Sequence, residues 1–171
     1  MSTKANPSLV RAAVYGANDG IVTTFAVVAG VSGAGLSTDV IIVLGIANMI
    51  ADAFSMGISD FLGEESARKA SGKKLGKVWN TGLTTFIAFV IAGTLPLLPY
   101  LSGYLGVNLI QSTRFPLSIA ATVCALFLVG SLRTHYIKGS WMRNGLEMLI
   151  VGSVAATIAY SVGFLIDRLV L

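Results

Sequence analysis

Apolar residues run along this chain in five long stretches, at about 12–34, 39–62, 78–100, 115–134 and 145–166. Each is near the roughly 20 residues that a helix needs to cross a bilayer. The pattern predicts an all-α fold: a single five-helix transmembrane domain spanning residues 1–171. The polar interruptions are short. Residues 1–8 form a polar arm, and Gly33-Ala34-Gly35-Leu36-Ser37-Thr38-Asp39 reads as a tight turn whose last residues cap the second helix. That helix is expected to continue beyond Leu62 through Glu64, Glu65 and Arg68, into a basic linker at 68–77. Pro96 and Pro99 are expected to stop the third span at an exposed edge, and Pro116 to sit in the first turn of the fourth. The segment 133–144 returns to the fifth span, which ends at Asp167-Arg168. Little chain remains for a separate soluble domain.

Composition agrees with a membrane protein. The chain is 54% hydrophobic and 12% charged, against roughly 25% charged in soluble domains, and its mean hydropathy is +0.79. The first stretch does not read as a signal peptide, because it carries Asp19 among Gly16, Gly20, Gly30 and Gly33 and lacks a small-residue cleavage site. Cys124 is the single cysteine, so no internal disulfide forms. The net charge of +4 comes from residues flanking the spans, which argues against nucleic acid as a partner. With the N-terminus inside, Lys4, Arg11, Arg68, Lys69, Lys73, Lys74, Lys77, Arg133, Lys138 and Arg143 fall on the cytoplasmic side, and only Arg114 and Arg168 fall outside. The positive-inside rule therefore predicts an N-in, C-out topology. The 68–77 cluster is expected to set that topology and to touch anionic lipid.

Against this background, Asp19 and Asp52 are conspicuous, since a carboxylate at the centre of a bilayer costs at least about 2.5 kcal/mol. Counting in fours along the second span gives Asn48, Asp52, Met56, Asp60 and Glu64, a polar stripe that drifts slowly because four residues advance about 40° beyond one turn. The row beside it is all small: Ala47, Ala51, Ser55, Ser59 and Gly63. Small rows let helices approach closely, and Gly16-x-x-x-Gly20 on the first span is expected to supply the matching surface. At about 1.5 Å rise per residue, Asp19 lies about 10 Å, Met56 about 9 Å and Asp52 about 15 Å inside the cytoplasmic edge, so Asp19 and Met56 stand at similar heights on antiparallel helices.

Carboxylate oxygen binds most divalent cations, whereas thioether sulfur is soft and ill suited to magnesium or calcium. A mixed site leans toward ferrous iron, manganese or cobalt. A desolvated carboxylate that exchanges a proton for a metal ion would couple the two movements in an alternating-access carrier. Asp60, Glu64 and Glu65 read either as a solvated helix end or as an acidic mouth that concentrates cations. The plainer alternatives are that Asp19 hydrogen-bonds Asn18 or a helix end, that Asp52 is an interhelical clamp, and that Met56 is a core methionine. Taken together these describe a non-transporting membrane interaction protein. His135 reads as a surface residue. No paired histidines or cysteines, phosphate loop or nucleophile–base pair appears, so a structural zinc site, an ATP-driven pump and an intramembrane hydrolase lack their parts. No cofactor is expected beyond the transported metal.

Tyr15-Gly16-Ala17-Asn18-Asp19-Gly20-Ile21-Val22-Thr23-Thr24-Phe25-Ala26, followed by Gly30-Val31-Ser32-Gly33, resembles the first helix of the vacuolar iron transporter family. Ala47-Asn48-Met49-Ile50-Ala51-Asp52-Ala53-Phe54-Ser55-Met56-Gly57-Ile58-Ser59-Asp60-Phe61-Leu62 resembles its second, and Gly145 through Gly163 is similar to its fifth. The resemblance implies a five-helix protomer, a homodimer with a metal path between the subunits lined by the first two helices, and proton-coupled export of ferrous iron, often also manganese, from the cytosol. Asp19 and Met56 match residues on that path. The chain departs from plant and fungal members in two ways. Asn48 stands where those members have a glutamate eight residues before the methionine, and Asn48 takes up no proton, which leaves Asp52 to supply the charge. The connection 66–77 replaces a glutamate- and methionine-rich metal-binding domain, which leaves metal capture to Glu64 and Glu65. The compact chain and the lack of an obvious targeting peptide favour a prokaryotic plasma membrane, or a vacuolar membrane in a eukaryote.

Overall fold

The computed structural model describes residues 6–135 and 139–170, so Lys4 and Lys138 lie outside the described residues. Among those described, five helices are long and apolar enough to cross a membrane: α1 (Pro7–Gly33), α2 (Thr38–Ala70), α3 (Trp79–Leu101), α4 (Gln111–Leu132) and α5 (Trp141–Val170). No strand occurs among them. A short 3-10 turn, Arg133–His135, follows α4.

The helix ends reflect local chemistry. Asn6 caps α1, its side-chain oxygen accepting from the Ser8 N–H at 3.1 Å, and Pro7 supplies the first helical residue. The polar arm is thus shorter than the sequence predicts. Ser37 is the N-cap of α2 without a side-chain bond, and Asp39 lies in the first turn, where the helix dipole favours an anion. At 33 residues, or about 50 Å, α2 is longer than a bilayer core is thick and runs through Glu64, Glu65 and Arg68 as expected.

Pro96 and Pro99 do not end α3 at an exposed edge; both are buried inside the helix. Each removes one donor from the ladder, which helices tolerate where neighbouring groups satisfy what is left. Hydroxyls also bond the carbonyls of this stretch: that of Ser118 on α4 donates to the Pro96 carbonyl at 2.6 Å, and that of Ser102 to the Pro99 carbonyl at 2.9 Å. Pro116 likewise falls past the first turn, because α4 begins at Gln111.

Helix α1 is the hub of the bundle. It packs on every other helix, most extensively on α3. Phe25, Val28, Ala29 and Val31 join Ile41, Leu97 and Tyr100 in one core cluster, and Ile21 joins Ala92, Ala125 and Leu126 in another. Met49, Ala53 and Phe89 form the α2–α3 core. The polarity is inverted relative to a soluble domain. Thr24, Thr81, Thr85, Ser118 and Thr122 are buried, while Phe54 is 63% exposed, Ile91 66% and Leu128 61%. Lipid takes the place of a core around this bundle.

The Gly16/Gly20 surface does not receive the small row of α2. It packs on α3: a Cβ at Gly16 would stand 2.5 Å from the Thr85 carbonyl oxygen, and one at Gly20 would meet that of Phe89. Residues Ala47, Ala51, Ser55, Ser59 and Gly63 are instead exposed on α2. The reason is that Gly57 and Gly82 bring α2 against α3 on a different side of α2. Replacing Gly20 by Ala is therefore expected to push α1 off α3 and destabilise the protein by about 1–3 kcal/mol. Thermal unfolding of detergent-solubilised protein checks this, with Gly103→Ala, where nothing stands within 4 Å, as the neutral control.

A candidate metal path between the first two helices

Seating Gly16 and Gly20 on α3 leaves the neighbouring stripe of α1, Arg11, Tyr15 and Asp19, facing the polar stripe of α2. The two stripes wall a cleft of about 690 Å³ lined by Asp19, Asp52, Met56, Asp60 and Glu64 together with Arg11, Tyr15, Ser55, Ser59, Gly63 and Ala67. Because Tyr15, Ser55 and Ser59 are exposed, the cleft opens onto the surface of the protomer. Five of the seven residues singled out in the sequence meet there. Asn48 and Glu65 do not line it.

The deeper part holds Asp19, Asp52 and Met56. Among the described residues, no hydrogen bond to the Asp19 carboxylate is formed, and the Asn18 side-chain oxygen is buried without a partner. No hydrogen bond joins the Asn18 and Asp19 side chains among the described residues. Thr23 instead donates to the Asp19 backbone carbonyl at 2.8 Å. Asp52 has one oxygen engaged: the Asn48 amide, one turn away, donates to Oδ2 at 2.7 Å. Asn48 thus orients Asp52 from outside the cleft. Met56 is half-buried against the Met49–Ala53–Phe89 cluster and lines the same cleft.

The mouth is built differently. Asp60 Oδ1 accepts from Arg11 Nη2 at 2.8 Å, and Oδ2 accepts from the buried Thr85 hydroxyl on α3, also at 2.8 Å. Glu64 is paired with Arg68 at 2.8 Å and lies 3.9 Å from Arg11. Arg68 in turn donates to the Lys74 and Leu75 carbonyls of the linker. Glu65 points elsewhere and pairs with Lys69 at 2.9 Å. Asp60 and Glu64 are therefore half-buried, ion-paired groups rather than a freely solvated helix end.

Arg11 and Thr85 escaped the sequence reading. For Arg11 a signal existed: Arg11, Tyr15 and Asp19 recur at intervals of four and so share one face of α1. For Thr85 none did, because its partner is 25 residues away on another helix.

The cleft presents four carboxylates against one guanidinium, with a single thioether. Among the described residues, no three His, Cys, Asp or Glu side chains converge closely enough to hold an ion by themselves.

The chain matches the VIT family over residues 10–78 and 68–164, the two segments meeting at the α2–α3 connection. It is 23% identical to "Vacuolar iron transporter" of Toxoplasma gondii (strain ATCC 50861 / VEG), over 98% of this chain and 78% of that protein. It is 22% identical to "Vacuolar iron transporter 1" of Arabidopsis thaliana, over 89% and 84%. With "Vacuolar iron transporter homolog 2" of Oryza sativa subsp. japonica the identity is 28%, over 92% and 90%. The Toxoplasma alignment extends over 234 positions against the 171 residues here, so at least 63 are filled only by that relative, whereas the rice alignment extends over 178. On the strength of a match that runs through all five helices, this chain belongs to the VIT family.

Proposed function

We propose that this protein moves a divalent transition metal, ferrous iron or manganese, out of the cytosol in exchange for protons, as a homodimer with its N-terminus on the cytosolic side. Metal transport follows from the family and from relatives named as vacuolar iron transporters. The observation that carries the finer reading is that Asp19, Asp52 and Met56 line a single open cleft. Hard oxygen and soft sulfur in one site favour ferrous iron, manganese or cobalt over magnesium and calcium. Asp19 is the principal ligand, Met56 the selectivity ligand and Asp52 the second charge, held by Asn48. Asp60 and Glu64 guard the mouth. Glu65, paired with Lys69 off the cleft, supports the helix end.

Proton coupling rests on competition. A carboxylate shielded from water binds a metal ion or a proton, so the ion's release to the far side is matched by proton uptake there in an alternating-access cycle. The bias of basic residues toward one end of the bundle supports the topology, and a prokaryotic plasma membrane is the proposed location. The homodimer is supported by the exposed small row Ala47, Ala51, Ser55, Ser59 and Gly63 beside the cleft. A two-fold axis there would double the ligands. The competing reading, a non-transporting protein with a structural polar stripe, draws on the bonds of Asp60 to Arg11 and Thr85; it requires zero flux.

Proteoliposomes loaded with a metal-sensitive dye separate the two. Uptake of ferrous iron or manganese above empty liposomes is expected, accelerated by an acidic lumen and slowed when a proton ionophore collapses the gradient. Asp19→Asn should lower the flux by at least about tenfold, the weight of one strong ligand in free energy being about 1.4 kcal/mol or more. Met56→Ala should slow ferrous iron more than manganese, since loss of sulfur penalises the softer ion. Flux equal to empty liposomes under either gradient defeats the transport reading, and parental rates in both variants defeat the ligand assignment. For the dimer, Ser59→Cys on a Cys124→Ser background should cross-link into a dimer in membranes, while Leu128→Cys, on the lipid face of α4, should not.

A further inference from the structure

The mouth of the cleft contains a cation that the chain itself supplies. Arg11 lines the cleft, its guanidinium 2.8 Å from Asp60 and 3.9 Å from Glu64. Along α2 these carboxylates stand one and two turns beyond Met56, toward the linker, so an ion that enters from that end meets Arg11 before Asp52 and Asp19. The two arginines at the mouth differ in how they are held. Arg68 is 26% exposed and fastened to the linker carbonyls of Lys74 and Leu75 as well as to Glu64. The Arg11 side chain is 62% exposed and bonds only to the acidic groups of the mouth among the described residues. Arg68 is a fixed brace; Arg11 is displaceable. Asp60 does not depend on Arg11 for its position, since Thr85 holds its other oxygen at 2.8 Å.

We infer that Arg11 is a tethered counter-cation that sets a charge threshold at the mouth: an ion enters by displacing the guanidinium from Asp60 and Glu64, which dications do and monovalent ions do not. The inference rests on the cleft being the ion path, as proposed above. At equal distance the attraction to a carboxylate doubles with the charge of the ion. Sodium or potassium carries the same charge as the guanidinium but lacks both its directional N–H donors and the local concentration that tethering confers. A divalent metal outweighs it. Arg11 thereby acts as a specificity-determining residue for the path, excluding the abundant monovalent cations without touching the deeper ligands.

The test reads binding rather than transport. Full-length protein in lipid nanodiscs is titrated with manganese, and free Mn²⁺ is followed by electron paramagnetic resonance at low and high NaCl. Removing an exposed ion pair should tighten Mn²⁺ binding by about two- to fivefold, so Arg11→Ala and the neutral hydrogen-bonding Arg11→Gln should both show this gain, and both should lose more of their affinity to NaCl than the parent does. Arg11→Lys should behave as the parent. Arg143→Ala, which removes the same charge from a surface pair with Glu147, controls for net charge. In an Asp60→Asn background, Arg11→Ala should add little further, because its main partner is gone. Equal or weaker binding in Arg11→Ala and Arg11→Gln, a change no larger than that of Arg143→Ala, or no Mn²⁺ binding by any of them overturns the inference. A parent that binds Mn²⁺ with the predicted Arg11 dependence but does not move it in proteoliposomes overturns the transport reading instead.

Discussion

The contact on which the cleft depends is the glycine seam that seats α1 on α3. Gly16 and Gly20 bring the α1 backbone against the backbone of Thr85 and Phe89, and a side chain at either position would collide with a carbonyl. A helix advances about 100° per residue, so fixing one face fixes the others. With the glycines on α3, the Arg11–Tyr15–Asp19 stripe turns toward the polar stripe of α2. A carboxylate facing hydrocarbon would cost several kcal/mol; facing a polar cleft, it is available to a cation.

Within that frame, hydrogen bonds divide the acidic groups by role. Asp52 is steadied by Asn48, and Asp60 by Thr85 and Arg11, while Asp19 is left open among the described residues. Met56 adds the soft atom, and the Met49–Ala53–Phe89 cluster fixes its height. The small row of α2 beside this cleft stands uncovered, and small side chains leave room for another helix backbone to approach closely.

The α2–α3 connection is short and held down by one side chain. α2 continues to Ala70, and Arg68 folds the following chain back by bonding the Lys74 and Leu75 carbonyls while pairing with Glu64. One side chain thus ties the linker to the mouth. The linker's lysines remain at the end of the bundle where the basic residues gather, where an anionic lipid surface would meet them.

The sequence alone determined the number of helices and their approximate limits, because hydrocarbon thickness and backbone satisfaction leave a spanning chain no other secondary structure than a long apolar helix or a closed barrel. It also determined which residues share a face, since Asn48, Asp52, Met56, Asp60 and Glu64 follow from helical period. Tertiary structure decided which faces meet. That Gly16 and Gly20 take α3 and not α2, that Ser118 bonds the Pro96 carbonyl, and that Thr85 holds Asp60 all rest on contacts between distant segments. Period along one helix fixes relative angle only; the absolute rotation of each helix is set by the packing of its neighbours, and no local pattern encodes it.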